Sequence, residues 1–219
     1  MRLMRSFGAP ILVLVSAARL SAQTGGLELT AFAGPNYSWL SGTTEGSAEG
    51  RVGVSIGLRL HQPIVGDLSV DPDIGFAYKG ANARVGAAAA TNVQTARLWY
   101  LQFPIPIRYT LASHGKIKPR LSAGPFIAVR VGCTAELGSS TEQSQVSCSD
   151  LRPLADTTAA FDPYKTWDAG FVASFGFNIP IWRTKFDFEL RYEHGLINIA
   201  RISGRIRNRT LMFAVGVPF

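Results

Sequence analysis

A histidine next to a carboxylate is the first arrangement in this sequence that could carry out acid–base chemistry. The chain has three histidines, and His194 directly follows Glu193. An imidazole can act as a general base when its pKa lies near the working pH. Such a base activates a nucleophile only within hydrogen-bond reach, and no serine stands at a convincing short offset from His194. We therefore predict a protein that is not an enzyme, with no catalytic residue and no cofactor.

The two cysteines, Cys133 and Cys148, flank one hydrophilic segment. Two thiols without nearby histidines supply too few ligands for a zinc site. In an exported chain the pair would meet an oxidising compartment, where disulfides form. Closing a loop of about 16 residues stabilises a fold by roughly 3 kcal/mol in the chain-entropy model. The sequence therefore predicts a disulfide between these cysteines and no metal site.

The first 22 residues have the layout of a secretory signal. "MRLMR" is a basic start, "FGAPILVLVSAA" is a short apolar core, and "RLSAQ" supplies small residues before a cut after Ala22. These are the three parts of a cleaved export signal. A buried N-terminal helix is the alternative interpretation. We predict a signal peptide over 1–22 and a single domain over 23–219.

The remaining chain is apolar but offers no membrane helix. Hydrophobic residues make up 47% and charged residues 17% of the sequence, whereas about 25% charged residues is usual. No later stretch approaches the roughly 18 uncharged apolar residues of a spanning helix. The formal charge is +7, but the basic residues are not gathered on a helix, so we expect no nucleic-acid partner. A soluble β protein or a membrane β-barrel remains.

Strict alternation of apolar and polar residues marks the strands. In "RVGVSIGLRLH" every second residue from Val52 to Leu60 is apolar, which is the pattern of a two-faced strand. "LSVDPDIGFAYK" and "FDFELRYE" repeat it. Five more segments follow the same period: 27–39, 95–110, 117–132, 165–180 and 208–219. The sequence thus predicts eight strands, most of them longer than the 9–11 residues that cross a bilayer at a tilt.

Glycine placement separates the two closed barrels that eight such strands could form. A soluble barrel of the lipocalin type turns its apolar face inward, whereas a membrane barrel turns it outward. An eight-stranded barrel has an interior just wide enough for side chains, so small residues belong inside. The bulky Trp39, Trp99 and Trp167 lie on the apolar register, which we therefore predict to face lipid. The glycines of the polar register are Gly34, Gly53, Gly57, Gly75, Gly124, Gly170, Gly176 and Gly216.

Loop lengths orient the predicted barrel. Short connections at 61–66, 112–116 and 181–184 alternate with longer ones, of which 133–163 is the longest. Short periplasmic turns and long outer loops are typical of outer-membrane barrels. The chain ends in "TLMFAVGVPF", which is apolar at every second position down to Phe219. This last strand must pair with the first one, because hydrocarbon tolerates no open sheet edge.

Three segments resemble those of a known family: "LWYLQFPIPIRYT" (98–110), "GPFIAV" (124–129) and "FELRYEHGLINI" (188–199). They resemble the broad outer-membrane β-barrel domain family, which includes PorT-like proteins, and the eight-strand plan is similar to OmpX and to the barrel of OmpA. The resemblance implies an all-β, eight-stranded antiparallel up-and-down barrel in a Gram-negative-type outer membrane. It also implies that Phe219 is a terminal assembly signal for the barrel-assembly machinery.

Acids and bases lie together on the polar register. An isolated buried charge costs several kcal/mol, so in a narrow lumen these groups should pair. We predict a largely plugged lumen in a protein of structural or surface-interaction type. The alternatives are a narrow porin-like channel for ions or small solutes and, less favoured, a lipid-modifying outer-membrane enzyme. The predicted charge network comprises Arg59, Asp71, Asp73, Arg108, Lys118, Arg120, Arg130, Asp168, Asp187, Glu189, Arg191 and Glu193.

Two outer loops could bind partners. Arg201, Arg205, Arg207 and Arg209 cluster in the last loop, where guanidinium groups at headgroup height could pair bidentately with lipopolysaccharide phosphates. A solvated basic loop is the alternative. Loop 133–163 is acidic and would be pinned by the disulfide. It could be a surface for an extracellular ligand, or only a protease-resistant cap.

Overall fold

The computed structural model describes residues 26–42, 48–83, 93–112, 115, 117–139, 142–150, 162–201 and 205–219. The predicted signal peptide lies outside these residues and stays a prediction. Among the described residues no helix is long and apolar enough to span a membrane.

The described chain is built from antiparallel strands and one short 3₁₀ turn at Cys148–Asp150. The period-2 alternation of the sequence explains why strands form, since each strand meets two different environments on its two faces. In chain order the strands are β1 Glu28–Gly42, β2 Ala48–Val65, β3 Leu68–Val70, β4 Asp73–Ala83, β5 Val93–Pro104, β6 Ile107–Thr110, β7 Lys118–Ser139, β8 Glu142–Ser147, β9 Trp167–Ile181, β10 Thr184–Gly195 and β11 Ile206–Pro218.

These strands close into a ring of eight passages, which confirms the predicted fold class. β1 pairs with both β2 and β11, so the sheet has no open edge around the barrel. β3 and β4 form one passage, and β5 and β6 form another. Each is interrupted at a proline, Pro72 or Pro106, that cannot donate to the ladder. β8 lies outside the ring and extends β7 as a hairpin.

The apolar register faces outward. On β2, Ile56 is 52% exposed, whereas Arg59, three residues on, is 2% exposed. The same contrast recurs on β10, where Leu190 is exposed while its neighbours Glu189 and Arg191 are buried. A closed barrel with this polarity fits a lipid solvent and excludes the soluble alternative.

Glycine makes room in the lumen, as the sequence predicted. At Gly176 on β9, an added Cβ would lie 2.8 Å from the guanidinium carbon of Arg120. At Gly34 on β1, it would collide with the backbone of β11 at Phe213. A larger residue at either position would displace a lumen charge or spread two barrel strands.

The two ends of the barrel differ in their connections. The turn end carries the links 66–67, 111–117 and 182–183; at the outer end the link 43–47 is also short, whereas the connections 84–92, 140–166 and 196–205 are longer. Trp182 is fully exposed at the tip of the β9–β10 turn and has φ +55°, an uncommon value for a bulky residue. The backbone N–H of Phe219 donates to the carbonyl of Leu29 at 2.8 Å, which ties the chain end to β1.

Candidate functional site

A dense ion cluster fills the lumen toward the turn end. Arg59 on β2 is its centre. Its Nε lies 2.9 Å from Asp73 Oδ1, and its Nη1 lies 2.6 Å from Glu189 Oε2 and 3.2 Å from Asp187 Oδ2. Arg191 pairs with Asp73 and donates from Nε to Glu189 Oε1 at 2.7 Å. Each buried charge therefore has an opposite charge within contact distance, as a low-dielectric interior requires.

Arg120 on β7 joins this cluster from the facing wall. It pairs with Asp187, and its Nη2 lies 3.3 Å from Glu189 Oε2. Its Nη1 donates to Asn178 Oδ1 at 2.6 Å. The two acids stand two residues apart on β10, so strand alternation alone points both into the lumen. The cluster thereby ties strands from opposite sides of the barrel together.

A second group of charges lies at the mouth of the turn end. Asp71 pairs with Arg108, and its Oδ1 lies 2.8 Å from His61 Nδ1. Ser69 donates to the same carboxylate at 3.3 Å. The sequence analysis assigned His61 no role. Its polar-register position on β2 was the available signal.

Lys79 is a lumen charge that the sequence-based network left out. Its Nζ lies 2.5 Å from Glu193 Oε2, and Gln102 donates to the same oxygen at 3.1 Å. The ammonium also lies 5.8 Å from the ring centres of Tyr100 and Phe126, within cation–π range. Lys79 and Asp73 lie six residues apart on β4 and therefore face the same side of the strand. The alternation of the sequence thus already predicted that Lys79 points into the lumen.

Three residues of the predicted network lie apart from it. Lys118 is exposed at the turn-end start of β7. Arg130 lies toward the outer end, where it pairs with Asp162 and donates to the carbonyl of Tyr164 at 3.1 Å. Asp168 accepts from Asn208 Nδ2 at 2.8 Å, and no base pairs with it among the described residues. These three residues were expected in one common network, but the structure places them outside it. The position of each residue along its strand sets its height in the barrel, and these heights differ from that of the ion cluster.

An apolar layer lies in the lumen toward the outer end, and the sequence analysis did not foresee it. The loop after β10 returns over the barrel and buries Ile199 completely. The N–H of Lys165 donates to the carbonyl of Ile199 at 2.7 Å, and the N–H of Ile199 donates to that of Ile206 at 2.8 Å. Tyr164 and Ala200 form an isolated bridge beside it. The layer comprises Leu98, Tyr100, Phe126, Ala128, Val172 and Ile199.

A small cavity of about 10 Å³ lies beside the ion cluster, next to Phe32, Arg191 and Glu193. A cavity needs roughly 10–15 Å³ to hold one water molecule. This cavity is thus large enough for about one water molecule.

The arginines of the last loop form a basic rim at the outer end, comprising Arg201, Arg205, Arg207 and Arg209. Arg201 and Arg205 are exposed. Arg207 and Arg209 share the outward register of Leu211 on β11. Within the described part of the chain no acid pairs with any of the four, and the Nε atoms of Arg207 and Arg209 are buried without a hydrogen-bond partner.

Aromatic rings frame Arg209. Trp39 of β1 and His194 of β10 are its direct neighbours on the two adjoining strands. The rings of Trp39 and Tyr192 lie 6.2 Å apart, and the Tyr192 hydroxyl lies 3.2 Å from His194 Nδ1. Tryptophan and tyrosine are enriched at membrane–water interfaces.

Strand alternation separates Glu193 and His194, the two residues considered for acid–base chemistry. His194 lies on the outer wall, whereas Glu193 points into the lumen toward Lys79. The adjacent pair in the sequence is therefore not a pair in space. No group of three histidine, cysteine or acidic side chains suited to a metal occurs among the described residues.

The structure joins Cys133 to Cys148, with their Cα atoms 5.4 Å apart. The bond links β7 to the end of the β7–β8 hairpin, above the barrel. Glu136 in this hairpin pairs with Arg97 of β5. Part of the acidic loop, residues 151–161, lies outside the described residues.

Comparison with protein-family models agrees with this architecture. A family model described as "Outer membrane protein beta-barrel domain" matches residues 21–201. No curated protein sequence matches the chain. Among solved structures, Neisserial surface protein A is 14% identical, with a TM-score of 0.47, over 89% of this chain and 98% of that one.

Two further solved structures are similar. Ail of Yersinia pestis, in complex with the heparin analogue sucrose octasulfate, is 11% identical, with a TM-score of 0.44, over 88% of this chain and 99% of that one. The outer membrane enzyme PagL is 14% identical, with a TM-score of 0.42, over 84% of this chain and 99% of that one.

Proposed function

The chain belongs to the outer membrane protein β-barrel domain family, and on that premise we propose that it is a non-enzymatic surface protein whose lumen is closed. It resides in the outer membrane, with the long connections outward. Its lumen lends rigidity, and its outer end meets the cell surface. The observation that carries this proposal is the pairing of the lumen charges beneath an apolar layer.

Two successive barriers support a closed lumen. In the ion cluster, Arg59, Arg191 and Arg120 are each held by at least two carboxylates, so a passing ion would have to break several buried pairs. Above it, the buried side chains of Leu98, Val172 and Ile199 offer no ligand for an ion. An ion stripped of water in such a layer loses several kcal/mol of solvation.

Planar-bilayer conductance tests the closed lumen directly. We expect a folded, heat-modifiable barrel that leaves the bilayer electrically silent, with protein-free detergent as the control. Discrete and reproducible current steps from the folded protein would overturn the proposal. They would favour the narrow-channel alternative.

A surface interaction is supported by the basic rim. Its four arginines have no acid partner among the described residues, and two of them stand on the lipid-facing register. We propose that the rim binds lipopolysaccharide phosphates, for which bidentate guanidinium contacts are well suited. The lipid, rather than the protein, would then neutralise these charges.

Retention of lipopolysaccharide during purification tests the rim. The double variant Arg205→Ser/Arg207→Ser should retain less lipopolysaccharide than the wild type. The matched control is Arg183→Ser/Lys185→Ser, which removes two exposed cations from the turn end. Equal retention by the rim variant and the wild type would refute the rim contact.

A further inference from the structure

A groove of about 610 Å³ runs across the outer wall of the barrel. Its floor is the directly paired Ala123 of β7 and Ala173 of β9. Larger side chains stand beside this floor. Toward the turn end, the next outward pair is Leu121 with Phe175. We call this depression the wall groove. It is an open depression of the lipid-facing wall, not an enclosed pocket.

The wall groove follows one row of cross-strand neighbours. Ile107 of β6 pairs with Ala123, Ala173 pairs with Tyr192, and Tyr192 pairs with Leu211 of β11. Four strand-to-strand steps give a length of about 19 Å. Barrel strands tilt by roughly 35–45° from the membrane normal, so a row perpendicular to them descends obliquely. The groove therefore runs from near the outer end at Leu211 toward the turn end at Ile107.

The upper end of the wall groove lies below the basic rim. Arg209 stands two residues above Leu211 on β11, and His194 stands two residues above Tyr192 on β10. Two residues along a strand span about 7 Å. The buried Nε of Arg209 lacks a hydrogen-bond partner. Arg209, which has no acid partner among the described residues, thus stands two residues above the end of an apolar depression.

We propose that the wall groove holds one acyl chain of a lipopolysaccharide molecule whose phosphate is bound by Arg209. This inference rests on the proposed rim contact and adds the position of the lipid tail. The positive charge of Arg209 favours a lipid that carries a phosphate. Because Arg209 stands close to the wall groove, one molecule that contains both the phosphate and an acyl chain could reach both. A second copy of the barrel would instead bring a second Arg209-bearing surface to this wall, without supplying an anion.

Filling the groove tests the tail site separately from the rim. Ala173→Phe places a ring on the groove floor while keeping the outer face apolar, and Ala123→Phe fills the same space from β7. Ala31→Phe is the matched control, since Ala31 is an outward alanine on β1 away from the groove. Heat-modifiable mobility shows that each variant folds.

The assay is titration of the detergent-solubilised full barrel with purified lipopolysaccharide, followed by native mass spectrometry. Ala173→Phe and Ala123→Phe should each weaken binding at least about tenfold, because several methylene contacts are lost. Arg209→Ser should weaken it too, and Ala31→Phe should bind like the wild type. Dephosphorylated lipopolysaccharide should bind the wild type as weakly as the intact lipid binds Arg209→Ser.

The outcomes separate the two proposals. If Arg209→Ser weakens binding but both groove variants bind normally, the rim contact stands and the tail site is wrong. If none of these variants changes binding, both are wrong. If the groove variants abolish a wild-type dimer and leave lipid binding intact, a second copy occupies the wall groove and the proposal is overturned.

Discussion

The ion pair between Lys79 and Glu193 gives the sharpest test of how the lumen is stabilised. The two side chains are 2% and 4% exposed, and Glu193 is the acid that Lys79 contacts, at 2.5 Å. Replacing Lys79 by methionine keeps an unbranched chain against Tyr100 and Phe126 but removes the charge. The Glu193 carboxylate then stays buried with Gln102 as its remaining described hydrogen-bond donor.

Removing one partner of a buried pair costs about 3–5 kcal/mol, because the other charge stays uncompensated. The contact with Gln102 and the sulfur–aromatic contacts of methionine offset part of this loss. We therefore expect Lys79→Met to lower the free energy of unfolding by about 3 kcal/mol. The double variant Lys79→Met/Glu193→Gln removes both charges and should cost only about 1 kcal/mol.

Equilibrium unfolding in urea, with the barrel in phospholipid vesicles and tryptophan fluorescence as the signal, measures both values. Lys185→Met is the matched control, since Lys185 is exposed on β10 and should be nearly neutral. A Lys79→Met cost below about 1 kcal/mol, or a double variant as unstable as the sum of the single variants, would refute the view that charge compensation holds the lumen together.

Three further predictions concern the ends of the barrel. Cys133→Ser/Cys148→Ser should speed proteolytic cleavage of the loop above β7, because the closed loop is worth roughly 3 kcal/mol; cleavage at the wild-type rate would contradict this. Burial raises the pKa of the Tyr164 phenol, an effect that Arg130 partly opposes. Its stabilising contribution is full below its ordinary pKa of about 10 and is lost as the pH rises through the folded value. Unfolding curves from about pH 8 to about pH 11 should show this loss in the wild type and not in Tyr164→Phe, whereas parallel pH profiles would disprove it. Trp182→Gly should raise stability in detergent micelles by about 1 kcal/mol, since glycine accepts a positive φ without strain; Arg183→Gly, at a position without positive φ, should give no gain.

The sequence could predict the ring of strands because lipid and lumen impose opposite demands on alternate residues. A period of two is visible without any tertiary information, and it fixed the outward face of residues such as Ile56 and Leu190. The same rule covered Lys79, which should have entered the predicted network with Asp73. That omission was a failure to apply the pattern, and no competing physical effect caused it.

Other features could not be read from alternation. Ile199 lies in a loop without periodicity, and its burial depends on backbone bonds to Lys165 and Ile206 that join distant parts of the chain. The separation of Arg130 and Lys118 depends on strand stagger, which sets height along the barrel. The wall groove depends on Ala123 and Ala173 being direct partners, a register that the single strands do not reveal.

The arginines of this barrel have two different surroundings, and the difference locates where ligands can bind. In the lumen, Arg59, Arg108 and Arg120 each contact at least one carboxylate. An added anion there would have to displace a buried acid. At the outer end, Arg207 and Arg209 have no acid partner among the described residues, yet their Nε atoms are buried. What distinguishes these two outer arginines is that no described carboxylate contacts them, whereas Asp71 contacts Arg108. We therefore propose the outer wall as the binding surface of this protein, where an anion and a hydrocarbon tail would arrive on one molecule.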